Sequence, residues 1–506
     1  MYLTNAKNSK MQKFFQLLIT FIAINAIAQE QDPLKFKSYN YVTKVFTEAG
    51  KKYQVRAYEG IIYVSKPVEE KYQKMNIYIP EEYFNGGTIN GFSESNAPIF
   101  FPNSVGGYMP AEPIKLEKTK NNKNQKNIVT FALSKGFIVA SAGARGRTTP
   151  TGKAPAVIVD LKAAIRYLKY NDDQMPGDAD KIISNGTSAG GAVSLLLGVS
   201  GRNWEYEDYL KEVGAAKASD GIYAVSAYCP ITLLDIANNA YEWQFNKERN
   251  YKKISIEMLD YNVKRKLIEG KLSDEEQKIS DELKQKFINN VNISVGIKKE
   301  NEWLKLDEQG NGNFKEMIIK ELIQSAKKAQ KNGTNMSKYT FLTIKNNEIV
   351  DFDWDKYINY LGRAKTPPAF DALDLSSGEN QLFGDATTDK KHFTHYSYQN
   401  STQKGELAPK KIVNLMAPLR FLNYPSEKAK YWRIRHGSKD ADTSLAISFI
   451  VAETLKQYDL IVDYAIPWDI PHSGDYDLEE LFDWAMDVVS KTPSKSEARE
   501  IRVITD

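Results

Sequence analysis

With 506 residues, 42% of them apolar and 26% charged, the chain can form one large domain with an insertion, or two domains, of ordinary globular make-up. A net charge of +4 over that length, with the lysines dispersed among Glu and Asn, argues against a nucleic-acid-binding surface. The one cysteine, Cys229, excludes an intrachain disulfide and a thiolate metal cluster.

The first predicted element is a targeting segment. Lys7, Lys10 and Lys13 form a basic region, Phe14 to Ile24 an apolar stretch, and Ala26-Ile27-Ala28 an A-x-A cleavage pattern. The apolar stretch is shorter than the roughly 20 residues a membrane-spanning helix needs. Residues 1–28 therefore read as a cleaved signal peptide. The mature protein is expected to be exported, periplasmic or secreted, with no stable membrane anchor.

From 29 to 231, short β-rich runs alternate with helical patterns. Lys74 to Pro80 and Ala97 to Phe101 read as strands, and a helix ends at Gly136 before the strand Phe137 to Ser141. Val157 to Tyr167 reads as a helix, Lys181 to Ser184 as a strand and Ile222 to Ser226 as another. This alternation predicts an α/β fold with a mostly parallel sheet covered by helices on both faces.

Residues 232–410 change character: they are rich in Lys, Glu and Asn and read as mainly helical, without β-α-β alternation. Ser273-Asp274-Glu275-Glu276 is a capping box, and Phe314, Met317, Ile318 and Leu322 follow helical spacing. This block reads as an insertion into the sheet domain. From 411 to 506 the alternation returns. Tyr431 to His436 reads as a strand, Ser444 to Gln457 as a helix, Leu460 to Ile466 as a strand and Leu478 to Val489 as the last helix.

Gly186-Thr187-Ser188-Ala189-Gly190-Gly191 lies between one of these strands and a helical run. A G-x-S-x-G stretch in that setting fits a nucleophile elbow, where a tight, strained turn exposes the serine at a helix N-terminus. A serine hydroxyl needs a base to take its proton and an acid to orient that base. The four histidines are His392, His395, His436 and His472. In this architecture the order is Ser, acid, His, on loops beyond the carboxyl ends of strands. Asp440, after the penultimate strand, and His472, after the last, satisfy it. His436 reads as structural, at a strand end. His392 and His395, three apart, could be metal ligands, but no third ligand is evident, so no metal and no cofactor are expected. The oxyanion hole is expected to use the backbone N–H of Ala189 and one from Pro102-Asn103-Ser104-Val105-Gly106-Gly107-Tyr108, with Gly107 favoured over Gly106.

Together these segments resemble the bacterial tannases, galloyl-ester hydrolases of the α/β-hydrolase fold. The resemblance extends over most of the mature chain. It is carried by the Gly106-Gly107 loop, the Ser188 elbow, Asp440-Ala441-Asp442-Thr443 and Pro471-His472-Ser473-Gly474-Asp475-Tyr476-Asp477. It implies a large lid inserted in the sheet domain, matching 232–410. It further implies that Asp440 orients the base. Asp442, Lys365 and Glu379 would bind the phenolic hydroxyls of the galloyl ring. Carboxylates accept from such hydroxyls while an ammonium donates to them. The fungal tannase and feruloyl esterase pattern, with linked cysteines beside the triad serine and histidine, does not fit: Thr187 and Pro471 stand there.

The expected function is therefore an exported serine esterase acting on small-molecule galloyl esters and depsides to release gallic acid. Two alternatives stay open at this point. One is an esterase for another aromatic acyl group, such as a hydroxycinnamate. The other is a non-catalytic hydrolase fold used for binding, which a fluorophosphonate probe would separate because only an activated serine labels.

Overall fold

The computed structural model describes residues 32–116, 127–259, 262–299 and 301–491. The signal peptide expected at 1–28 lies outside these residues. In chain order the first strands are β1 (Val42–Glu48), β2 (Lys51–Ile62), β3 (Lys74–Pro80), β4 (Pro98–Pro102), β5 (Ile138–Ala142), β6 (Asp178–Thr187) and β7 (Ala224–Tyr228). Three hairpins follow: β8 (Asn250–Leu259) with β9 (Asn262–Lys271), β10 (Lys298–Lys299) with β11 (Glu302–Trp303), and β12 (Leu342–Lys345) with β13 (Glu348–Phe352). The last strands are β14 (Tyr431–Arg435) and β15 (Ile461–Ala465).

Nine strands form one sheet in the order β1-β2-β3-β5-β4-β6-β7-β14-β15. Antiparallel pairing runs from β1 to β5, and every pair from β5 to β15 is parallel. The parallel strands read as short continuous apolar runs because both of their faces are covered. The register is visible in the core. Phe100, Ile183, Ala224 and Tyr431 stand side by side across β4, β6, β7 and β14 and face one layer of helices. Their neighbours Ile99, Phe101, Ile182, Val225 and Trp432 face the other, as the two-residue period of a strand requires.

Helices Ile128–Ser134 and Leu478–Ser490 cover the first face. There the Phe482 ring packs on Phe100 at 4.9 Å, Phe137 at 5.2 Å and Phe131 at 5.5 Å. Full burial of such a side chain stabilises by roughly 1.5–3 kcal/mol. Helices Ala156–Tyr170, Ala189–Val199 and Leu445–Gln457 cover the second face.

The chain between β7 and β14 packs on that second face; Phe314 meets Phe449 with ring centroids 5.4 Å apart. Helices Asp274–Asn289 and Asn313–Lys331 form where the sequence predicts them, the first closed by the Ser273–Glu276 capping box. The hairpins in this region, and the antiparallel β1 and β2, are absent from the sequence reading. Tyr251-Lys252-Lys253-Ile254-Ser255-Ile256-Glu257-Met258 alternates, but its Lys and Glu content hides the period. No helix among the described residues is long and apolar enough to cross a membrane.

Candidate active site

Ser188 sits between the end of β6 and helix Ala189–Val199 with φ 61° and ψ −121°, a strained backbone for a serine. The surroundings hold it there. Its amide donates to Tyr228 O at 2.9 Å, and its carbonyl accepts from Ile231 N at 3.2 Å and Ala192 N at 3.0 Å. The glycines around it are required by close approach. A Cβ on Gly186 would lie 2.3 Å from Gly190 O, and one on Gly190 would lie 2.6 Å from Asn103 Oδ1. The same Cβ on Gly190 would lie 2.8 Å from Val105 O, so the elbow is closely packed on the loop after β4.

Asn103 fastens that packing. Its Nδ2 donates to Asn185 O at 3.0 Å, Gly190 O at 3.2 Å and Ser194 Oγ at 3.1 Å. Beyond it, Met109 N donates to Gly106 O at 3.0 Å, closing a turn whose central residues, Gly107 and Tyr108, have φ 54° and 55°. Positive φ at both central positions marks a type I′ turn, which glycine adopts without strain. The Tyr108 hydroxyl donates to Ile231 O at 2.8 Å, tying this turn to the segment that holds the Ser188 carbonyl. Among the described residues the amides of Gly107 and Ala189 have no hydrogen-bond acceptor.

Asp440 and His472 come together from the loops after β14 and β15. Nδ1 of His472 lies 2.7 Å from Asp440 Oδ2, and Asp440 Oδ1 accepts from Asp442 N at 2.8 Å. Asp440 is fully buried, whereas His472 is partly open. Burial opposes charge on both groups, but their mutual attraction outweighs it: the imidazole is raised above its ordinary value and the carboxyl is held below its own. His436, fully buried and hydrogen-bonded through Nδ1 to Ser448 Oγ at 2.8 Å, is pushed down to about 4 by burial, so it is neutral. Its Nε2 stands 3.4 Å from Asp440 Oδ2, behind the acid.

No hydrogen bond joins Ser188 Oγ to His472 among the described residues; His472 Nε2 lies 4.0 Å from Cys229 Sγ. Such contacts are commonly loose before substrate binds. Cys229, Asp440 and His472 place possible ligand atoms within 4.8 Å of one another. A soft cation held there would occupy the Nε2 lone pair that a general base needs. Neither nitrogen of His392 is free for a metal: Nδ1 lies 2.8 Å from Asp371 Oδ1 and Nε2 lies 2.8 Å from Ser401 Oγ. His395 opens the short helix His395–Gln399.

Asp442 lies on the loop after β14 itself, and the inserted chain carries Lys365 and Glu379. Lys365 is held by its backbone. Its carbonyl accepts from Arg363 Nε at 2.7 Å, and the Arg363 guanidinium forms a buried ion pair with Glu242. The amides of Ala364 and Lys365 donate to the Tyr241 hydroxyl at 3.0 and 3.1 Å, and that hydroxyl donates to Ala441 O at 3.0 Å. One buried tyrosine therefore links Lys365 to the Asp440-Ala441-Asp442 loop. The Lys365 ammonium rests 4.0 Å from the centre of the Phe370 ring. Glu379 lies in the first turn of helix Gly378–Leu382, and its charge acts on Tyr108 and Arg147. Among the described residues Lys365, Glu379 and Asp442 form no ion pair with any side chain.

A nucleophile at a strained elbow, an acid–imidazole pair and two unpaired amides can together carry out acyl transfer. Sequence reasoning missed Asn103, Tyr241 and Arg147. Asn103 lies inside a quoted motif; the other two carry no local signal, because their partners are remote in the chain.

The BD-FAE family model matches residues 114–274. The chain is similar to the crystal structure of Fusobacterium nucleatum tannase, with 47% sequence identity and a TM-score of 0.85 over 90% of this chain and 99% of that one. It is similar to the tannase from Lactobacillus plantarum, with 42% identity and a TM-score of 0.87 over 90% of this chain and 100% of that one. A tannin acyl hydrolase in complex with ethyl gallate matches with 42% identity and a TM-score of 0.85, covering 90% of this chain and 99% of its own. No curated protein matches.

Proposed function

Because the chain belongs to the bacterial tannases, hydrolases of the α/β-hydrolase fold, we propose that it cleaves galloyl esters to gallic acid and an alcohol, with Ser188 as nucleophile. The observation that carries this reading is the 2.7 Å contact between His472 Nδ1 and Asp440 Oδ2 beside the strained Ser188 elbow.

In the first half-reaction Ser188 Oγ attacks the ester carbonyl carbon while His472 Nε2 takes its proton. The oxyanion is received by the amides of Ala189 and Gly107. The tetrahedral intermediate collapses, the C–O bond to the alcohol breaks, and His472 returns the proton to the leaving oxygen. In the second half-reaction His472 deprotonates a water that attacks the acyl-enzyme, and gallate leaves. Asp440 holds the imidazole in the tautomer with Nδ1 protonated and stabilises the imidazolium. His436, neutral and behind the acid, adds no competing charge.

Lys365, Glu379 and Asp442 are the groups we assign to the ring hydroxyls. Among the described residues none of the three is in an ion pair, so they are available to a ligand whose vicinal hydroxyls both donate and accept. A site of this kind rejects an acid lacking those hydroxyls, because its polar groups are left unpaired. Residues 232–410 act as the lid that carries two of the three. Residues 1–28 direct export and are removed.

The test is hydrolysis of methyl gallate, methyl protocatechuate and methyl ferulate side by side. Methyl gallate is expected to be cleaved with the highest kcat/KM, and S188A to be folded and inactive. K365A and E379A should lose roughly ten- to a hundredfold in kcat/KM for methyl gallate while p-nitrophenyl acetate is much less affected. Preference for the ferulate ester would replace the galloyl reading with a hydroxycinnamate one.

A further inference from the structure

Arg147 joins two parts of the site that are far apart in the chain. It lies in the loop that follows β5, in Gly143-Ala144-Arg145-Gly146-Arg147. Its amide donates to Tyr108 O at 2.8 Å and its Nε to Gly107 O at 2.7 Å, so both main chain and side chain grip the glycine turn. Its Nη1 donates to Gln381 Oε1 at 2.6 Å, on the helix that begins with Gly378 and Glu379. Gly378 lies against the guanidinium: a Cβ there would come within 2.9 Å of Cζ. A ring of bonds closes behind it. The Arg147 carbonyl accepts from Lys153 Nζ at 2.7 Å, Lys153 pairs with Asp389, and Asp389 accepts from Gln381 Nε2 at 3.1 Å.

The physical need for such a tie is plain. Helix Gly378–Leu382 has five residues, too few to persist without outside anchors. Ser377 caps its start, Asn380 Nδ2 donates to Asp371 Oδ1 at 2.7 Å and Leu382 O accepts from Ala154 N at 2.9 Å, while Gln381 is the residue that ties it to the glycine turn through Arg147. The Gly107 turn places its amide through dihedrals that glycine alone would leave loose. A guanidinium offers several donors in one rigid plane, so two acceptors bonded to it are fixed relative to each other.

We propose that Arg147 is a positioning residue that sets the Gly107 turn and the Glu379 helix in one register. The amide that receives the oxyanion and the carboxylate that receives the ring hydroxyls are then placed by the same side chain. This rests on the roles given above to Gly107 and Glu379.

The experiment compares wild type, R147A, R147K and Q381A with methyl gallate and p-nitrophenyl acetate, with thermal melts to establish that each protein is folded. R147A should lose about tenfold in kcat for p-nitrophenyl acetate, because the turn is freed, and about a hundredfold in kcat/KM for methyl gallate, because the helix is freed too. A lysine ammonium can reach Gly107 O but cannot fork to Gln381. R147K should therefore restore p-nitrophenyl acetate hydrolysis to within about threefold of wild type and keep a raised KM for methyl gallate. Q381A, which cuts only the lid side, should raise the methyl gallate KM about five- to tenfold and change p-nitrophenyl acetate turnover less than about twofold. Folded R147A with wild-type turnover of p-nitrophenyl acetate would overturn the proposal. So would equal losses on both esters in all three variants, the mark of a merely structural role. A wild-type enzyme that does not prefer methyl gallate would sink the galloyl reading instead, and leave the p-nitrophenyl acetate arm as a separate test of the Arg147–Gly107 tie.

Discussion

Replacing Tyr241 with phenylalanine removes one oxygen and leaves the ring, which packs on Phe245 with centroids 4.6 Å apart, in place. That oxygen accepts from Ala364 N at 3.0 Å and Lys365 N at 3.1 Å and donates to Ala441 O at 3.0 Å. The side chain is fully buried, so water does not readily replace what is lost. Three bonds at a net worth near 1 kcal/mol each give a destabilisation of about 3 kcal/mol, and more if both amides stay unpaired. The kinetic effect has two parts. Lys365 loses the anchor on its amide and keeps only the Arg363 bond to its carbonyl, which should raise KM for methyl gallate by about tenfold. Ala441, between Asp440 and Asp442, loses its tie to the inserted chain, which should lower kcat for p-nitrophenyl acetate by only about two- to fivefold, since the Asp440–His472 contact remains. Urea unfolding and steady-state kinetics on both esters measure these quantities. A Tyr241→Phe protein within about 0.5 kcal/mol of wild type, with an unchanged KM for methyl gallate, would refute the reasoning.

Asp440→Asn should lower kcat about 10⁴-fold. It also removes the charge that raises His472; since the base acts when neutral, the acid limb of the pH–rate profile should move to lower pH. A residual activity whose limb stays at the wild-type pH would show that Asp440 does not act on the base. Asp475, partly buried and accepting from Asn185 Nδ2 at 3.0 Å, has its carboxyl pushed up to about 6 by desolvation. A carboxyl raised on folding stabilises below its unfolded value and destabilises as pH rises through its folded one. Asp475→Asn, which keeps an acceptor for Asn185, should therefore raise stability at pH 8, by up to roughly 3 kcal/mol, and leave it unchanged below about pH 4. Melts across that range would show no such divergence if the group were not titrating. Mass spectrometry of the native protein should find an N-terminus near Gln29, and retention of Phe14 to Ile24 would point to an anchor instead.

The strands β4, β5, β6, β14 and β15 and the helices packed on them were legible because each is a short apolar run or a periodic one bounded by turn residues. β7 begins at Ala224, two residues after the Ile222 that the sequence predicts, because Ile222 and Tyr223 before it are also apolar. β1 and β2 were invisible, since an antiparallel edge with one open face carries charged residues such as Lys44, Arg56 and Glu59. The Ser188 elbow was readable because its glycines answer local close contacts. Asp440 and His472 were readable by their order and by the strands they follow.

What the sequence determined by itself was the α/β alternation and the placing of Ser188, Asp440 and His472 after strands, because these depend on local steric and periodic rules. What only the tertiary structure decided was how those residues are held. The acid receives His472 on one oxygen and the Asp442 amide on the other, Tyr241 fixes Lys365 to the acid loop, and Arg147 binds the glycine turn to the Glu379 helix. Apart from the local Asp442–Asp440 contact, these are hydrogen bonds between residues from 32 to 234 positions apart. No local pattern encodes them, because a donor and acceptor distant in the chain meet only once the sheet and the packed core have fixed where each loop ends.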